Sequence, residues 1–166
     1  MMEYIVKQSQ LRTEDVSRIA FELLDAVNHC EKHGIIHRDL KPENIMFKHS
    51  MAGAPLRLID FGSSCIASET EGVDKPDTDE NGLPLVQHST FAGSAFYISP
   101  ELFQRTYTYK TDIWSVGVTL YVLVAGFPSE KLQKAFNTLH MSKDRDLRSL
   151  PGMDNEGKIF LSCLIP

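Results

Sequence analysis

The chain has little cysteine and no excess of positive charge. Its three cysteines, Cys30, Cys65 and Cys163, are odd in number and scattered through the 166 residues. This usage favours free thiols in a reducing compartment over a disulfide framework. A net charge of −5 offers no electrostatic surface for nucleic acid or an anionic membrane. Residues 1–11 lack the apolar run of a signal peptide, so we expect a cytoplasmic protein, with the nucleus left open.

The rest of the composition is that of an ordinary globular domain. Hydrophobic residues make up 42% of the chain and charged residues 23%. At this length we expect one domain with a real core, spanning residues 1–166.

Residues 13–33 are predicted to form an amphipathic helix that ends at Gly34. Acidic Glu14 and Asp15 suit its first turn, where the helix dipole favours anions. Six apolar residues at helical spacing form its predicted buried face: Val16, Ile19, Ala20, Leu23, Leu24 and Val27.

Residues 112–126 form the most apolar stretch, and Asp112 is the only charged residue between positions 112 and 129. A helix that is apolar on all sides is buried inside a larger body, and this one is too short to span a membrane. A single buried carboxylate needs hydrogen-bond donors around it. A further helix is predicted over residues 155–164.

Residues 37–44, His-Arg-Asp-Leu-Lys-Pro-Glu-Asn, combine a carboxylate, an ammonium and an amide between two apolar stretches. Asp39 can accept a proton, Lys41 can neutralise oxygens that gain charge, and Asn44 can offer its carbonyl oxygen to a hard cation. The alternative is a charged surface turn.

A small hairpin is predicted from residues 45–47 and 56–59, which flank a turn-rich segment. It leads into Asp60-Phe61-Gly62, sixteen residues after Asn44. Asp and Gly are common in turns, so the triplet gains meaning from its position after this hairpin.

These motifs, in this order, resemble the C-terminal lobe of serine/threonine protein kinases, most closely the calcium/calmodulin-dependent group. The resemblance also covers residues 90–101, Thr-Phe-Ala-Gly-Ser-Ala-Phe-Tyr-Ile-Ser-Pro-Glu. It implies a mainly α fold with a small β-hairpin, a partial kinase domain. It also implies an enlarged activation segment at about residues 60–101.

The resemblance assigns ATP and Mg²⁺ as cofactors. It implies that Asp39 deprotonates the accepting hydroxyl and that Lys41 stabilises the transferring phosphoryl group. Asn44 and Asp60 would hold magnesium, and Met46 would lie under the adenine. Glu43, in the same nucleotide-binding run, would either read a substrate arginine or brace the loop.

Regulatory and supporting roles are also implied. Arg38 would pair with a phosphate on Thr90, added by an upstream activating kinase. Asp112 would bind backbone N–H groups of the catalytic loop, and Phe61 would pack against His37. The remaining supporting residues are Gly62, where the backbone turns, Ser94, which would contact Asp39 and Lys41, and Glu101, whose usual arginine partner is absent.

Residues 63–89 are acidic and rich in glycine and proline, a composition that does not bury enough surface to fold alone. Two interpretations stay open for them: a solvated insertion, or a regulatory docking or autoinhibitory segment.

The predicted function is transfer of the ATP γ-phosphoryl group to a serine or threonine hydroxyl of a protein substrate. No nucleic-acid or membrane partner is expected. No glycine-rich phosphate loop or Val-Ala-Ile-Lys strand precedes residue 37, so the resemblance covers only one lobe. The alternative is therefore a catalytically inactive lobe that acts as a binding or regulatory module.

Overall fold

The computed structural model describes residues 13–49, 53–67, 86–87, 96–103 and 106–126. The acidic residues 68–85 and the helix predicted at 155–164 lie outside these ranges. No helix within them has both the length and the apolar character needed to cross a membrane.

The described residues form helices and short strands in a fixed order. The helices are α1 (Thr13–Lys32), α2 (Pro100–Phe103) and α3 (Lys110–Ala125). The strands are β1 (Ile35–Ile36), β2 (Ile45–Phe47), β3 (Leu56–Leu58), β4 (Cys65–Ile66), β5 (Val86–Gln87) and β6 (Thr106–Tyr107). Two 3₁₀ turns lie at Pro42–Asn44 and Phe61–Ser63. The described part is mainly helical, as expected.

Helix α1 confirms the first predicted helix, and Gly34 follows it with a left-handed φ of +72°. Ile19, Leu23 and Val27 are buried against α3. The prediction for Leu24 was wrong, because its side chain is 41% exposed. Leu24 lies about 100° around the helix from Leu23, so it falls outside the face that α3 covers.

Helix α3 confirms the apolar helix predicted at 112–126. It ends at Gly126, which has a φ of +82°. The core that it shares with α1 and the hairpin consists of Ile19, Leu23, Val27, Leu40, Ile45, Leu56, Val116, Leu120 and Leu123. Burial on all sides was predicted, but Val124 is 61% exposed because it lies in the last turn.

Strands β2 and β3 form the predicted hairpin, with Ile45 opposite Leu58 and Phe47 opposite Leu56. Two further antiparallel pairs were not predicted. In one, β1 pairs with β4, so that Ile36 lies opposite Cys65. In the other, β5 pairs with β6, so that Val86 lies opposite Tyr107.

Candidate active site

Asp112 holds the start of the loop that carries the predicted catalytic residues. Its Oδ2 accepts a hydrogen bond from the backbone N–H of His37 (2.7 Å), and its Oδ1 accepts one from Arg38 (2.9 Å). The side chain is buried at the first turn of α3. Burial raises the pKa of the Asp112 carboxyl, and the two N–H groups oppose that shift. The contacts expected of Asp112 are present.

His37 is fully buried and connects the loop to the segment after the hairpin. The His37 and Phe61 rings lie 4.7 Å apart between centroids, which is the packing predicted for them. The Asp39 N–H points at His37 Nδ1 over a long 3.4 Å, and Nε2 lies 3.1 Å from the carbonyl oxygen of Ile59. This network assigns the proton to Nε2, which donates to Ile59.

Asp39 lies in a compact polar cluster with Lys41 and Asn44. Lys41 Nζ is 2.8 Å from Asp39 Oδ2, and Asn44 Nδ2 donates both to that oxygen (3.0 Å) and to the Asp39 carbonyl (2.8 Å). The Asp39 and Lys41 side chains stay 12% and 21% exposed, so solvent reaches the cluster. The structure thus brings together three residues that the sequence assigned to one site.

Asn44 and Asp60 offer oxygen atoms suited to magnesium. Both amide hydrogens of Asn44 point to Asp39, which leaves Oδ1 as the atom able to bind a cation. The Ile59 N–H donates to the Asn44 backbone carbonyl (2.9 Å), and the exposed Asp60 follows directly in the chain. Within the described ranges, no cluster of three or more His, Cys, Asp or Glu side chains forms a metal cage. Mg²⁺ commonly uses one or two carboxylates together with phosphate and water.

The turn at residues 60–62 differs from the expectation in one respect. Asp60, rather than Gly62, takes the left-handed conformation, with a φ of +60°. Asp60 tolerates it because its Oδ1 accepts the Gly62 N–H (3.2 Å). A Cβ at Gly62 would lie 3.1 Å from the same oxygen, a tight contact that the exposed Asp60 side chain would have to relieve by a small shift.

Arg38 is buried and has a left-handed φ of +67°. Its guanidinium donates to the carbonyls of Ser63 and Ser64 and to the hydroxyl of Tyr107. Tyr107 was not identified from the sequence, and no local signal marks it, because 69 positions separate it from Arg38. Thr90 and Ser94 lie outside the described residues, so their roles stay predictions.

The other predicted site residues within the described ranges are at least partly exposed. Met46 is 51% exposed on β2, where a flat ligand can reach it. Glu43 is exposed in the 3₁₀ turn, and Glu101 is partly exposed in α2. Ser99 shares a 2.6 Å hydrogen bond with the Thr111 hydroxyl. That bond joins the residue before α2 to the first turn of α3.

The chain is similar in sequence to known protein kinases over most of its length. The family described as protein kinase domain matches residues 1–165. CDPK-related kinase 3 of Arabidopsis thaliana is 35% identical over 92% of this chain. Calcium-dependent protein kinase 13 of Arabidopsis thaliana and calcium-dependent protein kinase 3 of Oryza sativa subsp. japonica are each 34% identical over 77% of it.

The chain spans only 24%, 21% and 20% of the lengths of these three relatives. The family match nevertheless extends over almost all of its residues. The chain therefore belongs to the protein kinase domain family, and its relatives place it near the calcium-dependent protein kinases.

Proposed function

We propose that this chain is the C-terminal lobe of a serine/threonine protein kinase, which transfers the γ-phosphoryl group of ATP to a protein hydroxyl. The observation that carries the proposal is the Asp39 cluster. One carboxylate oxygen of Asp39 is bound by both Lys41 and Asn44, while Asp112 holds the backbone just before it. A charged surface turn would not need this buried support.

Asp39 acts on the nucleophile in this proposal. Its carboxylate orients the substrate hydroxyl and accepts its proton, a contribution that is typically about 10²–10⁴-fold in rate. Lys41, which is 2.8 Å from Asp39, carries the positive charge that offsets charge gained by the phosphoryl oxygens. Little covalent chemistry is required of the protein, so positioning of these groups is its main contribution.

Asn44 Oδ1 and the Asp60 carboxylate would hold Mg²⁺, and their oxygen chemistry fits that ion. When bound, the ion neutralises charge on the phosphate oxygens. Met46, exposed on β2, would lie under the adenine ring. Glu43, exposed one residue before Asn44, would either contact a basic side chain of a protein substrate or brace the loop.

The activity test uses the longest natural product that contains this chain together with a nucleotide-binding N-terminal lobe. Asp39→Asn removes the proton acceptor but keeps a side chain of the same size. We expect phosphoryl transfer to fall by about 10²-fold or more, with little change in stability. Asp25→Asn, the same substitution at an exposed position of α1, is the matched control and should retain activity. Undiminished turnover in Asp39→Asn would exclude the assigned role.

The proposal also includes regulation by phosphorylation of Thr90, with Arg38 binding the phosphate. Among the described residues, Arg38 donates three of its five guanidinium N–H groups, to Ser63, Ser64 and Tyr107. A phosphate on Thr90 would accept from the other two, so activation by an upstream kinase stays part of the proposal. The free buried thiols of Cys30 and Cys65 support a reducing, cytoplasmic location.

A second function, that of an inactive lobe serving as a binding or regulatory module, is favoured by one observation. Met46, Phe61 and Ile66 are 51%, 42% and 45% exposed, which leaves apolar surface available to a partner. A glycine-rich loop and a strand lysine encoded in frame upstream would decide for the enzyme.

A further inference from the structure

Tyr107 is a buried residue that contacts Arg38 in the loop at residues 37–44. In the sequence, it comes after the acidic residues 68–85. Its side chain is 2% exposed, and its hydroxyl accepts a hydrogen bond from Arg38 Nη1 at 2.9 Å. Burial raises the pKa of Tyr107 to about 12, so the hydroxyl stays protonated at neutral pH. It therefore presents a neutral oxygen to a buried guanidinium.

Arg38 joins two parts of the chain that are distant in sequence. Nε donates to the Ser63 carbonyl and one Nη2 hydrogen to the Ser64 carbonyl (3.2 Å), directly after the Asp60 turn. Nη1 donates to Tyr107. Asp112 binds the Arg38 backbone N–H, so the backbone position from which the guanidinium extends is fixed.

The strand pairs place these contacts on or next to strands that come before and after residues 68–85 in the sequence. Ser64 precedes β4, which pairs with β1 next to the loop. Tyr107 lies opposite Val86, the first residue of β5. Arg38 therefore bonds directly to Ser63 and Ser64, and also to Tyr107, which lies in the strand that pairs with β5.

We propose that Tyr107 is a positioning residue: its hydroxyl fixes the Arg38 guanidinium, which in turn holds the Asp60–Ser64 turn in place for magnesium. The role of the turn in binding magnesium rests on the proposed function. The hydrogen bonds that hold the turn do not depend on it.

The geometric test is amide hydrogen exchange, followed by NMR, in the full chain. Tyr107→Phe removes only the hydroxyl. The Ser64 amide, which donates to the Phe61 carbonyl at 3.0 Å, should exchange about tenfold faster, as expected for loss of a hydrogen bond to a charged group. Tyr109→Phe makes the same chemical change two residues away in a buried tyrosine and should leave Ser64 unaffected.

Three outcomes would overturn the inference: unchanged Ser64 exchange, an equal effect of Tyr109→Phe, or exchange that rises as much in α1 as at Ser64. The last would mean that the hydroxyl stabilises the whole fold rather than the turn.

The functional test measures turnover against magnesium concentration in the natural product that contains the chain. Tyr107→Phe should raise the Mg²⁺ concentration for half-maximal rate several-fold, while Tyr109→Phe should not. If Tyr107 serves packing alone, the Mg²⁺ concentration for half-maximal rate should stay unchanged in Tyr107→Phe. That result would contradict the inference. If the unaltered protein shows no turnover, the proposed function fails, and the exchange measurement still decides the role of Tyr107.

Discussion

Asp112 uses both carboxylate oxygens to bind the N–H groups of two consecutive residues, His37 and Arg38. Arg38 is in the left-handed region, which costs a non-glycine residue roughly 1–2 kcal/mol. Charge-assisted hydrogen bonds in a buried setting are strong enough to offset that cost. One carboxylate therefore sets the backbone from which both Arg38 and Asp39 project.

We expect Asp112→Asn to lower the free energy of unfolding by about 1–3 kcal/mol. The amide keeps one acceptor but turns an NH₂ group toward a buried N–H, which is left without a partner. Urea unfolding of the full chain measures the change as a shift in midpoint. The exposed Asp25→Asn variant should unfold as the unaltered chain does. A midpoint for Asp112→Asn equal to that of Asp25→Asn would contradict this account.

At the scale of elements, the hairpin is attached to α1 by Glu22 and Arg18. Glu22 Oε2 accepts the Leu56 N–H at 2.6 Å, at the start of β3. Arg18 Nη1 donates to Glu22 Oε1 (2.8 Å) and to the Ala54 carbonyl (3.2 Å). The hairpin carries Met46 and leads to Asp60, so these bonds orient both proposed nucleotide-site residues relative to the core.

We expect Glu22→Ala to be less stable than Glu22→Gln by about 1–2 kcal/mol, because glutamine keeps an oxygen for Leu56 and alanine leaves that N–H unsatisfied. Denaturant midpoints of the two variants give the difference. Their comparison separates the hydrogen bond from the loss of charge. Equal midpoints would show that water replaces Glu22 at this partly exposed position.

At the scale of the whole molecule, the site lacks a cover among the described residues. Met46 and Phe61 are 51% and 42% exposed, and the chain spans about a quarter or less of its relatives' lengths. Water that remains in a site weakens every charge interaction there. Positioning supplies roughly 7–11 kcal/mol in well-oriented systems, and much of it depends on holding the nucleotide from two sides.

We therefore expect residues 1–166 alone to show no measurable kinase activity, although Asp39, Lys41, Asn44 and Asp60 are all present. Purified chain would be mixed with labelled ATP, Mg²⁺ and a basic peptide, with Asp60→Ala as the control. Transfer that is well above background and disappears in Asp60→Ala would show that this chain is a complete enzyme by itself.

The sequence alone predicted the features that depend on residues close together in the chain. The periodicity of apolar side chains identified α1, and Gly34 marked its end. The continuous apolar run at residues 112–126 identified α3. Two short apolar runs around a turn-rich segment identified the hairpin. The order of residues 37–44 and 60–62 was enough for the kinase resemblance. These features succeed because helix periodicity, turn chemistry and motif spacing are local properties of a chain.

Only the tertiary structure decided which groups meet across long separations. Without the resemblance, nothing local would have paired Asp112 with His37, 75 positions away, and nothing identified Tyr107 as a partner of Arg38. The two-residue strands β1, β4, β5 and β6 are too short to leave a periodic signal. Leu24 matched the helical pattern, but its exposure depends on where α3 lies. Such contacts depend on how the elements pack in space, and local sequence patterns carry no information on that packing.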